Sequence, residues 1–232
     1  MHARMLLART ALTLTLSGAS VSAVSAQSTS FGVLLGGVAA KVTEVDVSSA
    51  DFFNGASTIK NRMGFQAGVY VNRAFNKTFS IQPELHYIQK GTVFDIGGTN
   101  AADKLTIDLT YAEVPVLLRA DFGSSAWRPF VTAGPTFAMR IGCTGSIEAS
   151  GSSLSVDCEE FEDNGVKKDP FEKMDIGANV GAGIAGTLGG NKVLMQLRYG
   201  RGLTSIITDD AATSAAKTPK NSVISLVFGI GR

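Results

Sequence analysis

The chain has 232 residues, 44% hydrophobic and 18% charged, with 26 glycines, 6 prolines and 21 basic residues against 20 acidic ones. A near-neutral chain of this size fits one large domain or one barrel, and it lacks the basic excess that nucleic-acid binding requires. No apolar stretch reaches the ~20 residues of a spanning helix, so entry into a membrane would demand a closed barrel, where every backbone N–H and C=O finds a partner.

Residues 1–26 read as a secretory signal peptide. Arg4 and Arg9 precede an apolar run over 10–16, and small residues lead to Val24-Ser25-Ala26, with cleavage before Gln27. The competing reading is a membrane anchor, and the run is too short and too broken by Thr, Ser and Gly to make one. Cleavage removes two arginines and no acid, leaving 19 basic against 20 acidic residues in 27–232.

The first strand is expected over 31–42, apolar and Gly-rich, with an alternation too poor to fix its facing. A polar loop over 43–61 follows. The second strand, 63–74, sets Met63, Phe65, Ala67, Val69 and Val71 against Gln66, Tyr70 and Asn72. Asn76-Lys77 turns the chain into the clearest alternation of all, where Phe79, Ile81, Leu85 and Tyr87 oppose Ser80, Gln82, Glu84 and His86. Lys90, near the end of that strand, is expected at the membrane interface.

After a polar loop over 92–104, the strand 105–120 changes phase. Leu105, Ile107 and Leu109 are odd-numbered and oily, yet the later oily set is Val114, Val116 and Leu118, opposed by Glu113, Pro115 and Arg119. A β-bulge near Tyr111-Ala112 would keep one oily face across this change.

The strand 128–141 opposes Val131, Ala133, Phe137, Met139 and Ile141 to Arg128, Thr132, Thr136 and Arg140. The loop 142–172 is long and acidic and holds Cys143 and Cys158. The strand 174–188 opposes Ile176, Ala178, Val180, Ala182 and Ile184 to Asp175, Asn179 and glycines. Gly189-Gly190-Asn191 turns into 192–203, with Val193, Met195, Leu197 and Tyr199 opposite Gln196 and Arg198. A loop over 204–220 leads to 222–231, with Ile224, Leu226, Phe228 and Ile230 on one face.

Eight strands are thus joined by connections that alternate long and short, the pattern of an outer-membrane barrel. A soluble barrel has no reason to sort its loops so, and would bury its oily face. The expected fold is an all-β, eight-stranded antiparallel up-and-down transmembrane β-barrel over 27–232. Its lumen would receive Gln82, Glu84, His86, Glu113, Arg119, Arg140 and Arg198 as a paired polar plug, because eight strands leave an interior just wide enough for side chains. In an oxidising compartment Cys143 and Cys158 are expected to pair as a loop staple; free thiols or a metal site are the alternatives.

Several segments resemble the PorT-type outer-membrane β-barrel family, a porin-family domain. They are Ile81-Gln82-Pro83-Glu84-Leu85-His86-Tyr87 with Gln89-Lys90-Gly91, Tyr111-Ala112-Glu113-Val114-Pro115-Val116-Leu117-Leu118, Arg128-Pro129-Phe130-Val131-Thr132-Ala133-Gly134-Pro135, and Leu197-Arg198-Tyr199-Gly200-Arg201-Gly202-Leu203. The resemblance implies a barrel in a Gram-negative outer membrane, with no generally assigned reaction. Some members of the family are tied to protein secretion and gliding, and no matching motif carries that role here. The chain departs from the outer-membrane pattern at its end, Phe228-Gly229-Ile230-Gly231-Arg232, where the assembly machinery often reads a final aromatic residue.

Other motifs point to chemistry only weakly. Gly181-Ala182-Gly183-Ile184-Ala185-Gly186 fits G-x-G-x-x-G, but a dinucleotide loop needs a following helix and a later acid, and neither is present, so no cofactor is expected. Gly177 and Gly181 have the spacing of a helix-packing motif, which Asp175 and Asn179 spoil. His86, the sole histidine of 27–232, shares a face with Glu84, and a Ser/His/acid lipid-modifying enzyme is one reading of the pair. Acids over 46–51 and 159–163 lack the spacing of a calcium loop and read as solvated. The expected protein is a non-enzymatic barrel that meets outer-membrane lipid and lipopolysaccharide, the assembly machinery and a surface partner whose nature the loops do not reveal. A narrow porin-like channel is the remaining alternative.

Overall fold

Residues of alternating character form ribbons with two unlike faces, and here the ribbons close on themselves. In a computed structural model the described residues are 28–44, 58–95, 103–149, 151–158, 162–163, 166–167, 169, 171–208 and 218–232. The proposed signal peptide and the acids over 46–51 lie outside them. The strands are β1 (Thr29–Thr43), β2 (Thr58–Ala74), β3 (Phe79–Asp95), β4 (Lys104–Asp121), β5 (Trp127–Ala149), β6 (Ser152–Asp157), β7 (Glu162–Asp163), β8 (Val166–Lys167), β9 (Met174–Leu188), β10 (Asn191–Gly202) and β11 (Lys220–Gly231). Eight of them, β1 to β5 and β9 to β11, pair with their neighbours antiparallel, and β11 returns to β1 to close the barrel.

The facing follows the alternation. Phe65, Val69, Val71, Leu85, Val131, Phe137, Val180, Leu197, Leu226 and Phe228 stand on the outer surface, while Gln66, Gln82, Glu84, His86, Gln196 and Arg198 are buried within. β1, whose facing the sequence leaves open, sends Leu34, Val38, Ala40 and Val42 inward and Phe31, Val33 and Leu35 outward.

Two expectations about the segments beyond this belt are corrected. First, β4 keeps one alternation throughout. Ile107, Leu109, Tyr111, Glu113, Leu117 and Arg119 all point inward, so the change of hydropathy phase is not a change of facing. What changes is the surroundings. Along the apolar belt the outside is oily and the inside polar, and towards the long-connection end the inside becomes oily and the outside polar. The bulge does exist, but it belongs to β5. Thr110 pairs with Gly142 and Tyr111 with Arg140, which leaves Ile141 without a partner on β4. That extra residue reverses the parity of β5, so that Arg140 and Cys143 are both buried.

Second, the region read as one loop after residue 141 begins as strand. β5 runs on to Ala149, turns at Gly151 (φ 82°, a left-handed conformation that favours glycine) and returns as β6. Cys143 and Cys158 are disulfide-bonded with Cα atoms 5.4 Å apart. They lie in an internal apolar cluster with Val38, Ile107, Leu109, Phe94, Phe171 and Ile206. A second cluster, Leu34, Tyr70, Phe130, Leu194 and Val227, lies towards the short connections at 75–78, 122–126 and 189–190.

Candidate functional site: the barrel interior

An eight-stranded barrel leaves room for side chains only where some inward residues are small. Two glycines show this. A Cβ on Gly68 would come within 2.4 Å of His86 Cδ2, and one on Gly183 within 2.7 Å of Phe130 Cζ. Gly181 to Gly186 belong to β9, with Gly183 beside the inward Phe130, and form no phosphate loop.

The centre of the interior is Glu84 on β3. It accepts two hydrogen bonds from Arg198 on β10, at 2.7 and 3.1 Å, and one from Gln82 Nε2 at 2.7 Å. Arg198 also donates to Gln196 Oε1 at 2.8 Å, and Gln196 donates to Thr132 Oγ1 at 2.6 Å. Parity on three strands produces this network, since each participant is an inward residue of an alternating segment. His86 Nε2 lies 2.8 Å from Glu84 Oε2, close enough for an ion pair but off the hydrogen-bond axis.

Glu113 joins a different group. Lys90 Nζ lies 2.5 Å from its carboxylate and 3.7 Å from that of Asp175, and stands 4.8 Å from the centre of the Tyr111 ring. Asn221 donates to Asp175 at 2.8 Å. Lys90 is thus a buried cation of the interior, 6% exposed, and not an interfacial residue. Its signal was in the sequence: it shares even parity with Gln82, Glu84 and His86.

Arg119 stands nearer the short connections. It donates to both oxygens of Asp121, at 3.0 and 2.7 Å, reaches Gln82 Oε1 at 3.4 Å and lies over the Phe130 ring at 3.7 Å. Arg140 is apart from all of these. It pairs with Asp169 and donates to the carbonyls of Phe171 (3.2 Å) and Glu172 (3.4 Å), so it ties the segment before β9 to the adjacent β5 at the barrel's far end. Of the seven expected interior residues, Gln82, Glu84, His86, Arg119 and Arg198 form one connected group, while Glu113 and Arg140 have other partners. Lys90, Asp175, Gln196 and Asn221 are further buried polar residues of the interior.

Between the Glu84 and Lys90 groups is a cavity of about 20 Å³ lined by Gln66, Asn179, Arg198 and Asn221 among others. At the short-connection end a wider one of about 880 Å³ opens past Ser30, Asn72, Arg119, Asp121 and Lys192. Among the described residues no group of three or more His, Cys, Asp or Glu is placed to hold a metal ion.

A closed antiparallel barrel with an oily outer belt and a charged interior defines the class of outer-membrane β-barrel proteins. The sequence model of the outer membrane protein β-barrel domain matches residues 25–208, and the chain belongs to that family and to the outer membrane. Solved structures similar to it include Neisserial surface protein A, at 13% identity over 86% of this chain and 96% of that one, with a TM-score of 0.42. The attachment invasion locus protein Ail of Yersinia pestis is 14% identical over 88% and 98% (TM-score 0.41), and OprG of Pseudomonas aeruginosa 16% over 88% and 94% (TM-score 0.45). A search of curated proteins returns no match.

Proposed function

We propose that the protein is a non-enzymatic outer-membrane barrel with a plugged lumen, acting through the segments at its long-connection end in membrane integrity or surface interaction. The observation that carries this reading is the filling of the interior. Along β3 and β10 the Glu84–Arg198 group lies between the cluster of Leu34, Tyr70, Phe130, Leu194 and Val227 and the larger cluster around Leu109 and Tyr111. Ions crossing the barrel would have to shed water at two oily layers and break a buried ion pair, each step costing several kcal/mol. The PorT-type resemblance agrees with this, because Gln82, Glu84, Glu113 and Arg198 of its motifs are interior residues.

Planar-bilayer recording with the folded protein tests the plug. The expected result is no stepwise conductance; discrete, reproducible openings would favour the narrow channel instead. The lipid-modifying reading gains nothing from His86, which is buried in the interior at 2% exposure beside Glu84 and away from the lipid-facing surface.

A further inference from the structure

On β1, β11 and β10 the outward face turns from apolar to basic within one row, although Leu203, just past β10, is again apolar and exposed. The last apolar row across these strands is Ala39, Ile224 and Tyr199, which are direct cross-strand partners. The next row in the same parity is Lys41, Ser222 and Arg201, again direct partners, with Ser222 only 8% exposed between its neighbours and Lys220 opposite Thr43 beyond it. Neighbouring strands are ~4.8 Å apart, so Lys41 and Arg201 flank Ser222 closely enough for both side chains to reach one ligand. The Ser222 hydroxyl lies 3.5 Å from that of Tyr199, on which the charges of Arg201 and Lys41 also act.

One acid enters this group. Glu44 follows β1 with φ 64°, a left-handed turn, and its carboxylate meets Arg201 and, at 3.3 Å, Lys220. Two cations, Arg201 and Lys220, therefore share one carboxylate, and Lys41 has no ion pair among the described residues.

We propose that Lys41, Arg201 and Ser222 form a binding site for the phosphate of lipid A, the lipid portion of lipopolysaccharide, in the outer leaflet. The placement supports it: phosphates of a leaflet lie where its apolar band ends, and Tyr199 and Ile224 offer a surface for acyl chains below them. Arg201 brings a planar fork suited to phosphate and Lys41 a point charge, while the largely covered Ser222 hydroxyl between them is a secondary contact. Glu44 occupies part of the space a phosphate would take and competes with it. The site deepens the surface role proposed above and rests on the long connections facing outward.

The test uses full-length protein folded in detergent and measures, by native mass spectrometry, its binding of bisphosphorylated lipid A, dephosphorylated lipid A and phosphatidylglycerol. Wild type is expected to prefer the phosphorylated form to both others. The double variant Lys41→Ala/Arg201→Ala should lose about tenfold or more of that binding, Glu44→Gln should gain, and Lys77→Ala, at the opposite end, should not change. Equal binding of the dephosphorylated form by wild type overturns the proposal and needs no variant to fold. So does a folded double variant that binds like wild type, or phosphatidylglycerol bound as tightly as lipid A. Labelling of residues 203–219 on intact cells separately checks which way the long connections face, so failure of the orientation is distinguishable from failure of the site.

Discussion

At the scale of single residues, Glu84 and Arg198 dominate the interior, because each is almost wholly buried and each is the other's main partner. Removing one partner of a buried ion pair leaves a charge in a medium that cannot solvate it, at a cost of ~3–5 kcal/mol, whereas replacing both by neutral groups of similar size is often mild. Arg198→Met should therefore lower the urea midpoint for unfolding from bilayers markedly, and Glu84→Gln/Arg198→Met should recover most of the loss. Single variants as mild as the double one would show that the pair is not a unit. Much of this was legible from parity alone, since Gln82, Glu84 and His86 lie on one face of the clearest alternation in the chain. Partner choice was not. Glu113 pairs with Lys90 rather than an arginine because strand stagger, which no single segment encodes, brings β3, β4 and β9 together there.

At the scale of elements, β4 and β5 show how one hydropathy pattern admits two explanations. The oily residues of β4 switch from odd to even positions, and either a slip of the chain or a change of solvent produces that switch. A strand that passes from lipid into a water-exposed extension must exchange its faces, because its outside becomes aqueous and its inside must then be packed. Sequence periodicity reads the switch and cannot separate the two causes. The slip falls on the neighbouring strand, where Ile141 is the extra residue that lets Cys143 face inward towards Cys158. Deleting Ile141 should make β5 a regular ladder, leaving Arg140 and Cys143 both inward, so the disulfide should still form and the barrel still shift its gel mobility on heating. Thiol labelling of the denatured, unreduced variant reads this directly. Free cysteines in a deletion variant that otherwise folds would mean the bulge itself positions the bond.

At the scale of the whole molecule, the oily outer surface needs two edges, and its lower edge is marked by aromatic side chains. Phe31, Phe75, Phe79, Phe122 and Trp127 are all exposed near the short connections, where an interfacial girdle belongs. The upper edge is the line where Tyr199 and Ile224 give way to Arg201 and Ser222. Trp127 is the sole tryptophan of the chain, so the unmodified protein reports its own depth. Its side chain is 45% exposed at the first residue of β5, outside the barrel and at the end of the belt. In bilayers its fluorescence should be blue-shifted relative to unfolded protein in urea. Quenching should be strongest from lipids brominated near the headgroup and weaker from those brominated towards the chain ends, because an interfacial indole lies ~10 Å or more from the bilayer centre when the hydrocarbon core is ~30 Å thick. Quenching that instead peaks for the deepest bromines would shift the whole belt along the strands. The Lys41–Arg201 row would then no longer lie at a phosphate plane, so the depth of this one indole also constrains the proposed lipid site at the opposite end of the barrel.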